Sequence, residues 1–235
     1  MDETERWDSR TRRLIGDAAA DELARKHVLV LGLGGVGGYV AEFLARCGVG
    51  KLTLVDGDRV AVSNLNRQLP ALRSTVGEYK AEVLARRFRD LNPAGEFTPL
   101  ARFITPGDVA ELLASAEFDG AADAIDDVAA KVAFILECRR RGLPLVSSMG
   151  AGNKLDPAQV AVADIAKSHG CPLARAVRRR LREAGVTRGV RVVFSPEVVK
   201  TGGGFGTLSY MTAAFGVHSA AELLRQLGAE RSSFR

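Results

Sequence analysis

The stretch that decides the fold runs from Val28 to Gly38 and reads VLVLGLGGVGG. Its apolar half predicts a buried strand, and its glycines predict a tight turn that opens a helix. Gly32, Gly34 and Gly37 fit the G-x-G-x-x-G pattern, in which missing side chains let the backbone approach phosphate oxygens closely. Backbone N–H groups and the helix dipole both favour an anion there. The stretch therefore predicts a phosphate-binding turn.

A second apolar strand, from Lys51 to Val55, follows the predicted helix and ends at Asp56. In β-α-β nucleotide units, an acid about 20 residues after such a glycine turn accepts a hydrogen bond from a ribose hydroxyl. The glycine pattern alone also fits a purely structural turn. Strand, helix and terminal acid in this order favour nucleotide binding.

The next segment indicates which nucleotide is bound. It places Asn66, Arg67 and Gln68 just beyond the second strand, and Lys80 follows. Hydride transfer by a dinucleotide enzyme does not require these residues, whereas Arg and Lys bind a charged triphosphate tail. The segment therefore favours a nucleoside triphosphate.

Strands and helices alternate along the rest of the chain, which predicts an α/β, Rossmann-like, doubly wound and mostly parallel sheet. Helices are predicted over 35–47, 78–90, 108–114 and 128–141, and strands over 96–103, 120–126 and 143–147. Asp126 then stands at the carboxyl end of a strand. Open parallel sheets bind ligands at those ends, so the glycine turn, Asp56 and Asp126 are expected to meet around one nucleotide.

Length and composition fit one compact catalytic unit. The chain has 235 residues, 46% hydrophobic and 26% charged, which is typical of an α/β protein with a sizeable core. We predict a single domain over 1–235, with a nucleotide-binding core over 26–150 and a substrate-binding extension over 151–235. The apolar stretch 208–223 is interrupted by polar residues, which favours a core helix over a membrane span. Three cysteines and the lack of an apolar signal region at the N-terminus predict a cytoplasmic protein.

The motifs GLGGVG, VDGD, SNLNRQ, GEYK and DAID, in this order, resemble the ubiquitin-activating-like superfamily of adenylating enzymes, which includes the ThiF family. The resemblance implies ATP and Mg²⁺ as ligands and attack of a carboxylate on the α-phosphate. It implies that Asp56 binds ribose, that Arg67 and Lys80 bind phosphates in catalysis, and that Asp126 helps hold Mg²⁺. The other implied nucleotide-binding residues are Gly32, Gly34, Gly35, Gly37, Asp58 and Asn66.

Two of these assignments have simpler alternatives. Asp126 or Asp127 could have no role other than capping the following helix, as Asp often does. Arg10 lies in a segment that resembles the N-terminal segment reaching the ATP of the other subunit in dimeric relatives. That resemblance implies a homodimer and a catalytic role for Arg10, while a solvated helix charge is the alternative.

The second half of the chain resembles the branch of this superfamily that dehydrates threonylcarbamoyladenosine in tRNA. The resembling segments begin at Ser148, Val162, Cys171 and Val192. The resemblance implies an acyl-adenylate and closure of a ring with net loss of water. Relatives in this branch often carry a cysteine shortly before the C-terminal Gly-Phe-Gly, near the place where Thr201 stands, so an obligatory enzyme thioester is not supported. Cys171 is the alternative thiol, although a helix-start residue without catalytic duty is the simpler interpretation.

Charge and cysteine spacing bear on the partners. The net charge is +5, and arginines crowd the segment 175–191. We predict that Arg178, Arg179 and Arg182 contact RNA phosphates, with a solvated helix face as the alternative. No C-x-x-C pair occurs, so the structural zinc of many carrier-protein activators is not expected.

The leading hypothesis is an ATP-dependent tRNA dehydratase that acts as a homodimer. One alternative is an adenylyltransferase that activates the C-terminal glycine of a small ubiquitin-like sulfur-carrier protein, with a sulfur-transfer or carrier protein as its partner. Another is a nucleotide-binding scaffold without catalysis.

Overall fold

The computed structural model of the protein describes residues 6–199 and 204–228. Its strands belong to a single seven-stranded sheet. They are β1 (His27–Leu31), β2 (Lys51–Val55), β3 (Glu96–Leu100), β4 (Gly120–Asp123), β5 (Leu145–Ser148), β6 (Ala161–Asp164) and β7 (Arg191–Phe194). The order across the sheet is β3-β2-β1-β4-β5-β7-β6, and every pair is parallel except the antiparallel pair of β6 with β7. The predicted mostly parallel α/β sheet is therefore confirmed.

Helices cover both faces of this sheet. Within the described residues they are α1 (Ser9–Ile15), α2 (Asp17–Arg25), α3 (Gly37–Arg46), α4 (Lys80–Leu91), α5 (Val109–Ala114), α6 (Val128–Arg141), α7 (Pro172–Glu183) and α8 (Ser209–Gln226). Buried side chains of α3, α4 and α8 pack together on one face. Those of α5 and α6 pack against β1 and β2 on the other, and α7 packs against α6 and β7.

Element bounds differ from the prediction where the chain turns early. The strand predicted over 120–126 ends at Asp123, because the Asp123 carboxylate accepts a hydrogen bond from Ile125 N at 3.2 Å and folds the chain into a turn. The strand predicted over 96–103 ends at Leu100, where Arg102 N donates to the Leu100 carbonyl at 2.9 Å. The helix predicted over 128–141 is confirmed, and Gly142 ends it with a φ of +67°.

The core helix predicted over 208–223 is α8. Met211, Phe215 and Leu223 are buried on it. A Cβ on Gly216 would lie 2.6 Å from Cβ of Tyr39, so α8 crosses α3 at close range. No helix in the described part of the chain is long and apolar enough to cross a membrane.

A buried carboxylate ties α8 to the sheet. Glu222 accepts hydrogen bonds from Arg191 of β7 at 2.9 Å and from Arg225 at 2.7 Å. Burial by itself raises the pKa of Glu222, but these bonds and one from Gln226 outweigh it and hold the pKa at about 2.

Candidate active site

A cavity of about 370 Å³ opens at the carboxyl ends of β2, β1, β4 and β5, where the strand order reverses between β1 and β4. This is the position at which open α/β sheets bind ligands, and the volume lies in the range of small-molecule sites. The predicted site residues that line it are Gly32, Gly34, Gly35, Asp56, Asp58, Arg67, Lys80 and Asp126. The structure thus brings most of the predicted nucleotide-binding residues around one space.

The glycine turn packs closely against other parts of the chain on two sides. Gly32 has a φ of +85°, and a Cβ there would lie 2.9 Å from Cγ2 of Ile125. A Cβ on Gly37 would lie 1.7 Å from the Gly32 carbonyl oxygen, so both positions require glycine although Gly37 does not face the cavity. A Cβ on Gly35 would lie 2.9 Å from Cγ2 of Thr212, so the turn also rests on α8.

The acid after β2 is tied to this turn. Oδ2 of Asp56 accepts from Leu33 N at 2.7 Å, and Oδ1 accepts from Asp58 N at 2.8 Å. A carboxylate has about four acceptor positions, so each oxygen can still accept from a ligand hydroxyl. Asp58 pairs with Lys80 at 2.7 Å, and the Lys80 side chain is only 4% exposed. An ammonium so enclosed is positioned beside the cavity before any ligand arrives.

Arg67 is held by its neighbours in the chain. Its Nη1 donates to the Ser63 carbonyl at 2.7 Å and to Asn66 Oδ1 at 2.9 Å. Asn66 in turn donates to the Thr207 carbonyl at 3.2 Å and does not line the cavity. In this structure Asn66 therefore orients the guanidinium and joins it to the segment before α8.

Asp126 and Asp127 lie in different environments. Asp126 lines the cavity three residues after the end of β4, so the expectation that it stands at the strand end is wrong. Asp127 is the residue that caps α6, because its Oδ1 accepts from Ala130 N at 2.7 Å. Residues 6–199 and 204–228 contain no group of three or more His, Cys, Asp or Glu side chains that could hold a metal.

The strand-end acid is instead Asp123, which sequence reasoning missed. Its wholly buried carboxylate pairs with the wholly buried Lys131 of α6 at 2.8 Å. Ser147 Oγ donates to Asp123 at 2.6 Å, and Lys131 also donates to the Ser148 carbonyl at 2.9 Å. This network joins the ends of β4 and β5, and Ser148 lines the cavity. The only sequence feature that could have indicated this pair is the spacing, with an Asp eight residues before a Lys and the start of a helix between them.

The cavity is also lined by residues to which the sequence analysis gave no site role. Gln68 Oε1 and Thr207 Oγ1 are buried and have no hydrogen-bond partner in the described residues, and both side chains line the cavity. Phe103 and Phe205 also line it, although they are 71% and 80% exposed. Gln68 belongs to a motif the sequence displayed, whereas the two phenylalanines follow only from the folded chain.

Arg10 and the helix arginines lie away from this cavity. Arg10 is exposed on α1 and does not line it. On α7, Arg179 and Arg182 are exposed. Arg178 differs, because its Nη1 donates to the carbonyl and the Oγ of Ser168, both at 2.7 Å. One of the three predicted RNA contacts thus has its side chain engaged within the protein.

Cys171 is a buried N-cap. Its Sγ accepts from Ala174 N at 3.5 Å at the start of α7. Nearby, Lys154 donates to the main-chain carbonyls of Gly170 and Glu197, and burial lowers the pKa of its ammonium. Thr201, near which the resemblance implies a cysteine in relatives, lies outside the described residues.

A doubly wound sheet with a glycine turn, an acid at the end of β2 and two positioned basic side chains around one cavity is typical of nucleotide-binding proteins of the α/β class. The comparisons with known proteins give the family. The chain belongs to the ThiF family, which matches residues 8–234.

Two proteins of Escherichia coli among its relatives represent two activities. The chain is 39% identical to the tRNA threonylcarbamoyladenosine dehydratase, over 94% of this chain and 92% of that one. It is 33% identical to the molybdopterin-synthase adenylyltransferase, over 82% of this chain and 73% of that one. The crystal structure of the E. coli tRNA N6-threonylcarbamoyladenosine dehydratase in complex with ATP superposes with a TM-score of 0.89 and 41% identity, covering 95% of this chain and 94% of that one.

Proposed function

We propose that the protein is an ATP-dependent enzyme that dehydrates threonylcarbamoyladenosine in tRNA to its cyclic form. The observation that carries the proposal is the single cavity lined by Asp56, Arg67, Lys80 and Asp126 in a chain that matches an ATP-binding tRNA dehydratase over nearly its whole length. The higher identity to the dehydratase than to the carrier-protein adenylyltransferase supports the same assignment.

The reaction proceeds in two displacements. An oxygen of the threonyl carboxylate attacks the α-phosphorus of ATP, the bond to the β-phosphate oxygen breaks, and pyrophosphate leaves. An internal nucleophile of the carbamoyl group then attacks the acyl carbon, the acyl–AMP bond breaks, and the ring closes. The elements of water lost by the substrate are accounted for in the conversion of ATP to AMP and pyrophosphate.

The side chains divide this work by position. Asp56, at the end of β2, accepts hydrogen bonds from the ribose. Arg67 and Lys80 face the phosphates, and both are fixed in advance by the bonds described above. A preorganised cation stabilises charge that develops on the leaving pyrophosphate without the cost of ordering it during the reaction. Arg67 is therefore the main electrostatic catalyst of the first step.

Asp126 is the residue that would hold Mg²⁺. A single carboxylate fits this ion, because Mg²⁺ commonly binds one or two carboxylates together with substrate phosphates and water. When bound, the ion neutralises charge on the phosphates.

The second step requires no enzyme thiol in this proposal. Cys171 is buried and its sulfur caps α7, so it is not presented to the cavity as a nucleophile. The internal nucleophile of the substrate attacks the acyl-adenylate directly. This separates the present chain from relatives that carry a cysteine near the position of Thr201.

RNA and a second copy of the chain complete the proposal. The exposed Arg179 and Arg182 on α7 bind tRNA phosphates. Arg10, which does not reach the cavity of its own chain, contributes to the nucleotide site of a second copy in a homodimer. A tRNA substrate and free cysteines support a cytoplasmic location.

Pyrophosphate exchange into ATP tests the proposal. The purified protein is incubated with labelled pyrophosphate and either threonylcarbamoyladenosine-containing tRNA, a small carrier protein ending in glycine, or neither. We expect exchange only with the modified tRNA, and mass spectrometry of its nucleosides is expected to show a product lighter by one water. Exchange with the carrier protein alone identifies an adenylyltransferase, and no exchange with either identifies a scaffold.

A further inference from the structure

Phe205 is an exposed aromatic side chain that the fold holds in one place. It is 80% exposed, although leaving a phenylalanine in water is unfavourable. A Cβ on Gly152 would lie 1.8 Å from Cζ of this ring, so the ring rests directly on the Gly152 backbone. Next to it, Asn153 N donates to the Gly206 carbonyl and Gly206 N donates to Asn153 Oδ1, each at 2.8 Å. The ring is therefore clamped with its other face open.

The open face lies at one end of the cavity. Gly152 follows β5, and both Gly152 and Phe205 line the cavity. Asp56 follows β2, which is three positions away in the sheet order. At about 4.8 Å per strand, the two ends are about 14 Å apart. We therefore expect a nucleotide whose ribose lies at Asp56 to leave the ring of Phe205 available to a second ligand.

Positive charge extends from this same end. Leu173, in the first turn of α7, lines the cavity together with Gly152 and Phe205. From there α7 carries exposed arginines away from the cavity, at positions 175, 179, 180 and 182. A fixed aromatic face beside a basic track is the arrangement by which proteins hold an unstacked base and its flanking phosphates in single-stranded nucleic acid.

We propose that Phe205 stacks on a base of the RNA substrate, a purine in a single-stranded loop, and so fixes the modified nucleotide at the β5 end of the cavity. The proposal rests on the proposed function for the identity of the RNA. Stacking at this end directs the side-chain carboxylate of that nucleotide toward the α-phosphate of an ATP bound at the β1 and β2 end. ATP also contains a purine, so the experiment must distinguish the two sources of the base.

The kinetic test compares Phe205→Ala with Phe205→Tyr. Loss of one base–aromatic stack weakens RNA binding by about 10-fold or more, so we expect Phe205→Ala to raise KM for the modified tRNA by that factor while KM for ATP stays constant. Phe205→Tyr keeps the ring and is expected to restore KM. The matched control is Phe103→Ala, which removes a similarly exposed phenylalanine at the β3 end of the cavity. It is expected to leave KM for tRNA unchanged, whatever its effect on KM for ATP.

A binding test needs no turnover. The chain has one tryptophan, Trp7, so a Trp7→Phe and Phe205→Trp double variant carries its only indole at the proposed stacking position. We expect a stem-loop RNA with threonylcarbamoyladenosine in its loop to quench its fluorescence and ATP alone to leave it unchanged. A stem-loop with abasic loop positions is expected to bind without quenching.

Three results overturn the proposal: quenching by ATP alone, no quenching by RNA, or an equal rise of tRNA KM in Phe103→Ala. Failure of the proposed function is recognised separately, because the wild-type protein would then modify no tRNA. In that case quenching by the stem-loop still decides whether Phe205 binds an RNA base.

Discussion

Lys131 and Asp123 form a buried ion pair whose removal gives the sharpest test of the structure. Both side chains are wholly buried and lie 2.8 Å apart. The ammonium also donates to Ser147 Oγ at 3.3 Å and to the Ser148 carbonyl at 2.9 Å. Lys131→Met keeps most of the side-chain volume but leaves Asp123 as an unpaired buried carboxylate.

The expected loss follows from that unpaired charge. Removing one partner of a buried pair costs about 3–5 kcal/mol. The second substitution Asp123→Asn, added to Lys131→Met, removes the remaining charge. The amide oxygen keeps an acceptor for Ile125 N, and the amide nitrogen can donate to Ser147 Oγ after the hydroxyl rotates. We therefore expect the double variant to be more stable than Lys131→Met alone, by at least about 1 kcal/mol.

Urea unfolding followed by circular dichroism measures these differences. The matched control is Arg140→Met on the same helix, α6, where an exposed arginine pairs with Glu137 at 2.7 Å. Surface pairs contribute about 1 kcal/mol or less, so this variant is expected to unfold close to the wild type. The reasoning fails if Lys131→Met costs no more than the control, or if adding Asp123→Asn gives no recovery.

Four further results are expected. Arg67→Ala lowers the rate of pyrophosphate exchange by about 100-fold with a smaller effect on ATP binding, because its charge matters most as pyrophosphate leaves; equal exchange rates would remove it from the site. Asp126→Asn weakens Mg²⁺-dependent turnover and leaves Tm unchanged, since Asp127 is the cap; a lowered Tm with full activity would contradict this. Arg179→Glu with Arg182→Glu flattens the salt dependence of tRNA binding, each lost phosphate contact reducing the log–log slope by about one unit, and ATP binding serves as the control. The pKa of Glu222 is about 2 in the folded protein against 4.5 for the free group, so its stabilisation is present above pH 4.5 and is lost as pH falls toward 2; acid unfolding of Glu222→Gln is expected to depend less on pH in that window.

Features that short stretches of sequence determine were predictable. The strand, glycine turn and helix around Gly32 depend on local sterics, and the structure shows the same close contacts that the glycine pattern implies. The helix over 128–141 is bounded by an Asp and a Gly whose capping roles are also local. These elements therefore matched the prediction in type, and α6 matched in length as well.

Site residues that depend on distant partners were not predictable. Arg178 resembles its neighbours in sequence, but Ser168, ten residues away, turns its guanidinium inward. Asp123 pairs with Lys131 only because β4 ends early and α6 returns over it. The position of the Phe205 ring depends on Gly152, which has no side chain to block it. This contact joins two loops that are distant in sequence, so the pattern of apolar residues does not predict it.

Residues of the carboxyl-terminal segment form part of the wall of the cavity, because Phe205, Thr207 and Thr212 line it. Thr212 of α8 lies against Gly35 of the phosphate-binding turn, and its Oγ1 donates to the Arg67 carbonyl at 3.3 Å. Asn66 reaches from the Arg67 side to the Thr207 carbonyl at 3.2 Å. The same segment, two residues earlier, carries Phe205. One stretch of chain, residues 205–212, therefore contacts both the proposed triphosphate residues and the proposed base platform.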